Sequence, residues 1–306
     1  MIDLCQDTPG LAGQRFKTRL QQECSVGISK LELVYRKAKQ HDAVPVLFVH
    51  GIFCGAWVWE EHFLDWFAEH GYHAYAVSLR GHGRSSAPDP MGQYSLNDYV
   101  QDLKDAIQTI EMSHKQPPIL IGHSMGGMVV QRFLSKHIYR GAVLISSIPP
   151  QGMMPLSWQS FWQDPLITME MTQTYLMPEL ATTEQLRRYL FAGPVEQEKL
   201  EAWLEYLVPE SQRLLWDMSW HNLPNPFEVA KTPIAVVGAL HDRLVSKVIV
   251  TMTAATYSCK PHWIDSGHGV MLEHNWQEAA QVVAAALTEV LLSEQDESLI
   301  QEPVPA

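Results

Sequence analysis

Short unbroken apolar runs alternate with longer stretches of helical period along most of the chain. Val46-Leu47-Phe48-Val49 is closed by His50-Gly51, and Ala74-Tyr75-Ala76-Val77, Ile119-Leu120-Ile121 and Ala142-Val143-Leu144-Ile145 repeat the form. Runs this short, with no polar alternation, predict strands buried on both faces, as a parallel sheet requires. Between them Trp57–His70, Ser95–Ile110 and Met125–His137 read as helices. In the second, Leu96, Tyr99, Val100, Leu103, Ile107 and Ile110 share one face, and Ser95 with Asp98 predicts a capping box. Such alternation predicts an α/β fold, with a mostly parallel central sheet flanked by helices. No internal repeat interrupts it.

The rhythm breaks at Pro149-Pro150. From Gln151 to about Asn225 no strand-like run stands out, and Thr183–Phe191, Val195–Leu207 and Gln212–Trp220 read as short helices. Trp158, Trp162, Trp203, Trp216 and Trp220 fall here, half of the chain's 10 tryptophans. Ile234–Gly238 resumes the alternation, His262–Ile264 is a last short strand, and a helix from Trp276 to Leu292 closes it. The pattern therefore predicts a core in two parts, residues 1–149 and 226–292. A helical insertion at 150–225 separates them, and an acidic tail at 293–306 is expected to be disordered. One domain with an insertion fits 306 residues better than two separate domains.

Composition removes several classes of function. Lys and Arg number 22 against 34 Asp and Glu, a net charge of −12, which argues against a nucleic-acid reader or an anionic-membrane binder. No run of 18 apolar residues predicts a transmembrane helix. Met1–Asp7 has neither a basic nor an apolar region of the kind an export signal carries, so a cytoplasmic location is expected. Cys5, Cys24, Cys54 and Cys259 are widely spaced and suggest neither a zinc site nor a disulfide framework. Nothing in the sequence bears on oligomeric state.

The chemistry concentrates at four places. Gly122-His123-Ser124-Met125-Gly126 lies between an apolar run and a helix. As a bare pattern G-x-S-x-G arises by chance about 0.1 times in a chain of this size. At a strand-to-helix turn, however, it holds a serine hydroxyl exposed above the sheet, and the glycines let neighbouring backbones approach. A serine needs a base, and the base a carboxylate that fixes its tautomer. Of 14 histidines, His268 in Ser266-Gly267-His268-Gly269 is the candidate base, since flanking glycines let its ring reach over a sheet edge. His123 is expected to point sideways from the turn, and His82, His262 and His274 to be surface or loop-packing residues. Asp242, just past the strand Ile234–Gly238, is the candidate acid. Asp265 and Glu273 are rivals, but they lie awkwardly close to His268 in sequence. For an oxyanion, the backbone N–H of Met125 at a helix start is one donor. The turn His50–Gly55 offers the other, Ile52 first and Phe53 as fallback.

With His50-Gly51, Arg80-Gly81-His82-Gly83-Arg84-Ser85, Gly122–Gly127, Asp242 and Gly267-His268, the chain from about residue 29 to 292 resembles the α/β-hydrolase superfamily. The likeness is to its cap-bearing esterases and lipase-like members. Ser78 stands where relatives usually carry aspartate, and Val270 where proline is common. The resemblance implies the α/β-hydrolase fold, makes 150–225 a cap over Ser124, and implies no metal or organic cofactor. In the cap, Met153, Met154, Trp158 and Trp162, with Phe53 from the core, are the expected lining of an apolar, adaptable pocket.

The expectation is a carboxylic-ester hydrolase acting through an acyl-enzyme on a neutral, apolar small molecule. Cleavage of a C–C bond, thioester, amide or lactone by the same residues is the nearest alternative. A non-catalytic receptor for a small ligand is the alternative from another class.

Overall fold

A computed structural model describes residues 22–26, 29–86, 93–177 and 180–300. The strands are β1 (Gln22–Val26), β2 (Ser29–Arg36), β3 (Val44–Val49), β4 (Tyr72–Ser78), β5 (Ile119–His123), β6 (Ala142–Ile145), β7 (Ile234–Ala239) and β8 (Pro261–Ile264). They form one sheet in the order β1-β2-β4-β3-β5-β6-β7-β8. β1 and β2 pair antiparallel, β2 also runs antiparallel to β4, and every later pairing is parallel. The predicted apolar runs are the centres of β3 to β8. β2 was legible too: Leu31 and Leu33 alternate with Lys30 and Glu32, the period of an antiparallel strand near an edge.

The helices are α1 (Trp57–Glu60), α2 (Phe63–Glu69), α3 (Leu96–His114), α4 (Met125–Leu134), α5 (Met153–Gln163), α6 (Pro165–Leu176), α7 (Thr183–Leu190), α8 (Gln197–Glu205), α9 (Gln212–Trp216), α10 (Pro226–Val229), α11 (Lys247–Thr256) and α12 (Trp276–Ile300). A π-helical turn, Asp217–His221, continues α9. The twofold period of the strands splits the core in two. Leu47, Val49, Leu120 and Leu144 face α3, α4 and α11. Val46, Phe48, Ile121 and Val143 face α1, α2 and α12. Ser95 caps α3 as predicted, with its side chain and that of Asp98 satisfying each other's backbone N–H.

Three expectations need correction. Trp57–His70 is two helices, because His62 leaves helical geometry (φ −144°, ψ −47°) and stacks on Trp276 at 4.5 Å. α12 continues to Ile300, so the tail is helical over its first eight residues, which contain neither Gly nor Pro; 301–306 lie outside the described residues. α5 and α6 precede the three short helices predicted between β6 and β7. Asp164, whose side chain accepts the N–H of Ile167, and Pro165 at the first helical position mark the start of α6, a signal present in the sequence.

The chain passes from β3 to β4 on one side and returns to β5 on the other. The carboxyl ends of β3 and β5 are therefore a topological switch point, where open α/β sheets bind ligands.

Candidate active site

Ser124 sits in that crevice, between β5 and α4, with φ 53° and ψ −116°. A non-glycine residue held there is strained by about 1–3 kcal/mol. Its backbone is held from both sides: its N–H donates to Ile145 O (3.0 Å), and its carbonyl accepts from Gly127 (3.1 Å) and Ile148 (3.2 Å). The sharp bend depends on Gly126. A Cβ there would lie 2.3 Å from the Val49 carbonyl oxygen and 2.5 Å from that of His50.

His268 lies in the loop after β8, with Nδ1 2.8 Å from Asp242 Oδ2. An ionised carboxylate only accepts, so Nδ1 carries a hydrogen, and in the neutral ring Nε2 is then the nitrogen with the lone pair. Asp242 Oδ1 accepts from the N–H groups of Leu244 and Val245, both at 2.8 Å. Burial works to raise the Asp242 carboxyl. Attraction to His268, with hydrogen bonds from His268 and Val245, outweighs it and holds the group below the usual carboxylate range. The rivals are engaged elsewhere. Asp265 is exposed and pairs with His241 at 2.7 Å, whereas Glu273 is buried and accepts backbone N–H groups.

His123 has a part that its neighbours in sequence did not reveal. Its Nε2 donates to the carbonyl of His268 at 2.9 Å, and the rings lie 4.6 Å apart. Burial first, and the adjacent His268 second, depress its pKa to about 3, so the ring is neutral. His82, expected at the surface or in loop packing, is buried. Its Nε2 lies 3.2 Å from Glu210, which also accepts from Tyr99 OH (2.7 Å) and Ser211 N–H (2.9 Å). Ser78 donates to Glu32 (2.7 Å); that carboxylate, supplied by β2, also takes Arg84.

Ser124 and His268 open onto one cavity. Ile52 and Phe53 line it beside them. Phe53 is in the left-handed region (φ 63°), its carbonyl accepts Val208 N–H at 3.0 Å, and its ring meets that of Tyr175 at 5.4 Å. Met125 opens α4, and its N–H is among the first-turn donors that lack a helical partner.

Of the expected lining, Phe53 and Met153 are in place, joined by Leu156 from α5, Ile167 and Met171 from α6, and Leu186 from α7. Met154, Trp158 and Trp162 are not. They are 45%, 68% and 67% exposed. The reason is helical geometry: positions 154, 158 and 162 recur every four residues on the face of α5 opposite Met153, Leu156, Ser157 and Ser160. Among the described residues no Lys, Arg, Asp or Glu lines the cavity. Among the described residues no cluster of His, Cys, Asp and Glu could hold a metal ion, and no helix is long and apolar enough to cross a membrane.

Residues 46–285 match the alpha/beta hydrolase family. The chain is 28% identical to human Protein ABHD8 over 280 residues, 88% of this chain and 60% of that protein. It is 31% identical to the non-heme chloroperoxidase of Streptomyces lividans over 121 residues, 39% of this chain and 42% of that protein. The match thus spans about half the length of these relatives. Among solved structures, an esterase from Exiguobacterium antarcticum superposes with a TM-score of 0.64 at 17% identity, covering 85% of this chain and 96% of that one.

Proposed function

The chain belongs to the alpha/beta hydrolase family, and on that premise we propose that it is a serine hydrolase of neutral, apolar carboxylic esters. The observation that carries the reading is the buried Asp242, with its oxygen 2.8 Å from Nδ1 of a histidine that shares a cavity wall with the strained Ser124.

Ser124 attacks the acyl carbon while Nε2 of His268 takes its proton, and Asp242 orients and stabilises the imidazolium. The backbone N–H groups of Met125 and Ile52 receive the oxyanion, aided by the amino end of α4. Collapse expels the alcohol, protonated by His268. The same imidazole then activates the water that releases the acid and restores Ser124. Residues 150–225 act as a cap whose inner wall selects substrate. A mostly apolar wall, with Ser, Thr and Gln side chains among its Met, Leu, Ile and Tyr and no charged group among the described residues, favours neutral esters over those bearing a free carboxylate, which would find no cation to pair with.

The test is labelling by a fluorophosphonate, paired with turnover of p-nitrophenyl esters. Wild-type protein is expected to be labelled at Ser124 and to turn over the esters, and Ser124→Ala to lose both. Labelling at another serine, with Ser124 untouched, would overturn the assignment.

A further inference from the structure

Glu273 is an acidic side chain fully enclosed by protein, with its Oε2 3.4 Å from Nδ1 of the half-exposed His274, and the reaction sequence gives it no step. Its Oε1 accepts the N–H groups of Ala192 (2.6 Å) and Gly267 (2.9 Å), and its Oε2 that of Gly193 (3.3 Å). These donors come from two separate stretches of chain. Ala192 and Gly193 follow α7 in the 150–225 segment, whereas Gly267 immediately precedes His268. The stretches touch directly as well. Gly269 N–H donates to Leu190 O at 2.7 Å, and a Cβ at Gly267 would lie 2.5 Å from that same oxygen. Gly267 and Gly269 therefore bracket His268 with two ties to the end of α7, one of them through Glu273.

We propose that Glu273 is a positioning residue that fastens the His268 loop to the end of α7, so that the histidine and the cavity wall are held as one unit. The inference rests on the reading of Ser124 and His268 as the reacting pair. Glu273 does not orient the imidazole itself, because Nδ1 of His268 already meets Asp242. It acts on the main chain on either side. Leu190 and Gly269, joined by their hydrogen bond, both line the cavity, so a substrate packed against this wall presses on the same unit that carries the base.

Reach and charge make different demands, and three variants separate them. Glu273→Gln keeps a carbonyl oxygen for Ala192 and Gly267, loses the acceptor for Gly193, and removes the charge. Glu273→Asp keeps the charge but is one methylene too short to span both stretches. Glu273→Ala removes everything. If the residue positions the loop, Gln retains kcat within about tenfold. Asp and Ala fall by about a hundredfold, the order of loss for a reacting group displaced by roughly 1 Å. KM for a small acetate ester, which barely reaches α7, changes little. Amide exchange at Gly267, Gly269 and Ala192 quickens in Asp and Ala ahead of the rest of the chain. Wild-type kcat and exchange in Asp and Ala would overturn the proposal, and so would Asp matching wild type while Gln fails, since charge rather than reach would then matter. Should Ala not fold, Asp against Gln decides. If wild-type protein proves unreactive to esters and to fluorophosphonate, the hydrolase reading fails on its own. The fastening is still judged by exchange, and unchanged protection in Asp would overturn it.

Discussion

Nε2 of His123 stands 2.9 Å from the carbonyl oxygen of His268, across 145 residues of sequence. A carbonyl can only accept, so the imidazole is fixed as the Nε2–H tautomer, and its low pKa keeps it there through neutral pH. The residue beside the strained serine thus supports the main chain of His268, the proposed base. The elbow and the histidine loop are braced against each other independently of substrate.

His123→Phe removes that donor and leaves the His268 carbonyl buried without a partner. Urea unfolding is expected to show a loss of about 1–3 kcal/mol. Ester kcat should fall by more than KM rises, because the lost hydrogen bond holds the main chain of His268, whereas the Phe ring still fills the place of His123 at the cavity wall. An unchanged midpoint with unchanged kcat would contradict the bracing.

Asp242→Asn offers an amide where His268 needs an acceptor and favours the wrong tautomer. Turnover should drop by about 10⁴, the loss known for the equivalent change in a serine protease. Asp265→Asn should leave kcat within about twofold, because that carboxylate is 64% exposed and serves His241. The two rates, measured at one pH, identify the carboxylate; the reverse ranking would reject Asp242.

Substrate length should respond to the inner face of α5 and α6 and not to the outer one. Each methylene buried against Met153, Met171 or Leu186 adds about 0.8 kcal/mol, near fourfold in kcat/KM, until the space is filled. Met171→Ala should move the optimum of an acetate-to-decanoate series to longer chains. Trp158→Ala, on the exposed face, should leave the series where it was. A shift of the optimum in Trp158→Ala alone would place the acyl group elsewhere.

Acid should destabilise the fold from below about pH 6.5, well before carboxylates titrate. Burial, then His82, holds His50 well below its ordinary value, and burial, then His268, holds His123 at about 3. Unfolding returns both to about 6.5, so between those limits the unfolded chain binds more protons and stability falls as pH falls. These two groups alone contribute a slope of about 2.7 kcal/mol per pH unit, complete above 6.5, and His62 and His114, each held by burial at about 4, steepen it in the same direction. Asp242, depressed in the fold, adds its loss only at still lower pH. Urea unfolding at pH 7, 6, 5 and 4.5 gives the slope directly; a flat profile would contradict the buried neutral imidazoles.

The sequence by itself determined the alternation of β3 to β7 with their helices, the capping box of α3 and the elbow around Ser124. In each case the signal is local: a run with no polar break, a residue three places from its partner, or glycines two places either side of a serine. Chain order also pointed to Asp242 and His268, because this sheet presents its loops in sequence along one edge. Tertiary structure alone decided what side chains do once distant segments meet. Asp242, Asp265 and Glu273 are alike in composition, but only packing turns one to His268, another to His241 and the third to backbone N–H groups. The same holds for Trp158 and Met153. Both are large and apolar, and nothing in their identity says which lines a cavity, because the rotation of α5 about its axis is set by what it packs against. Periodicity tells which residues share a face; the fold decides where that face looks.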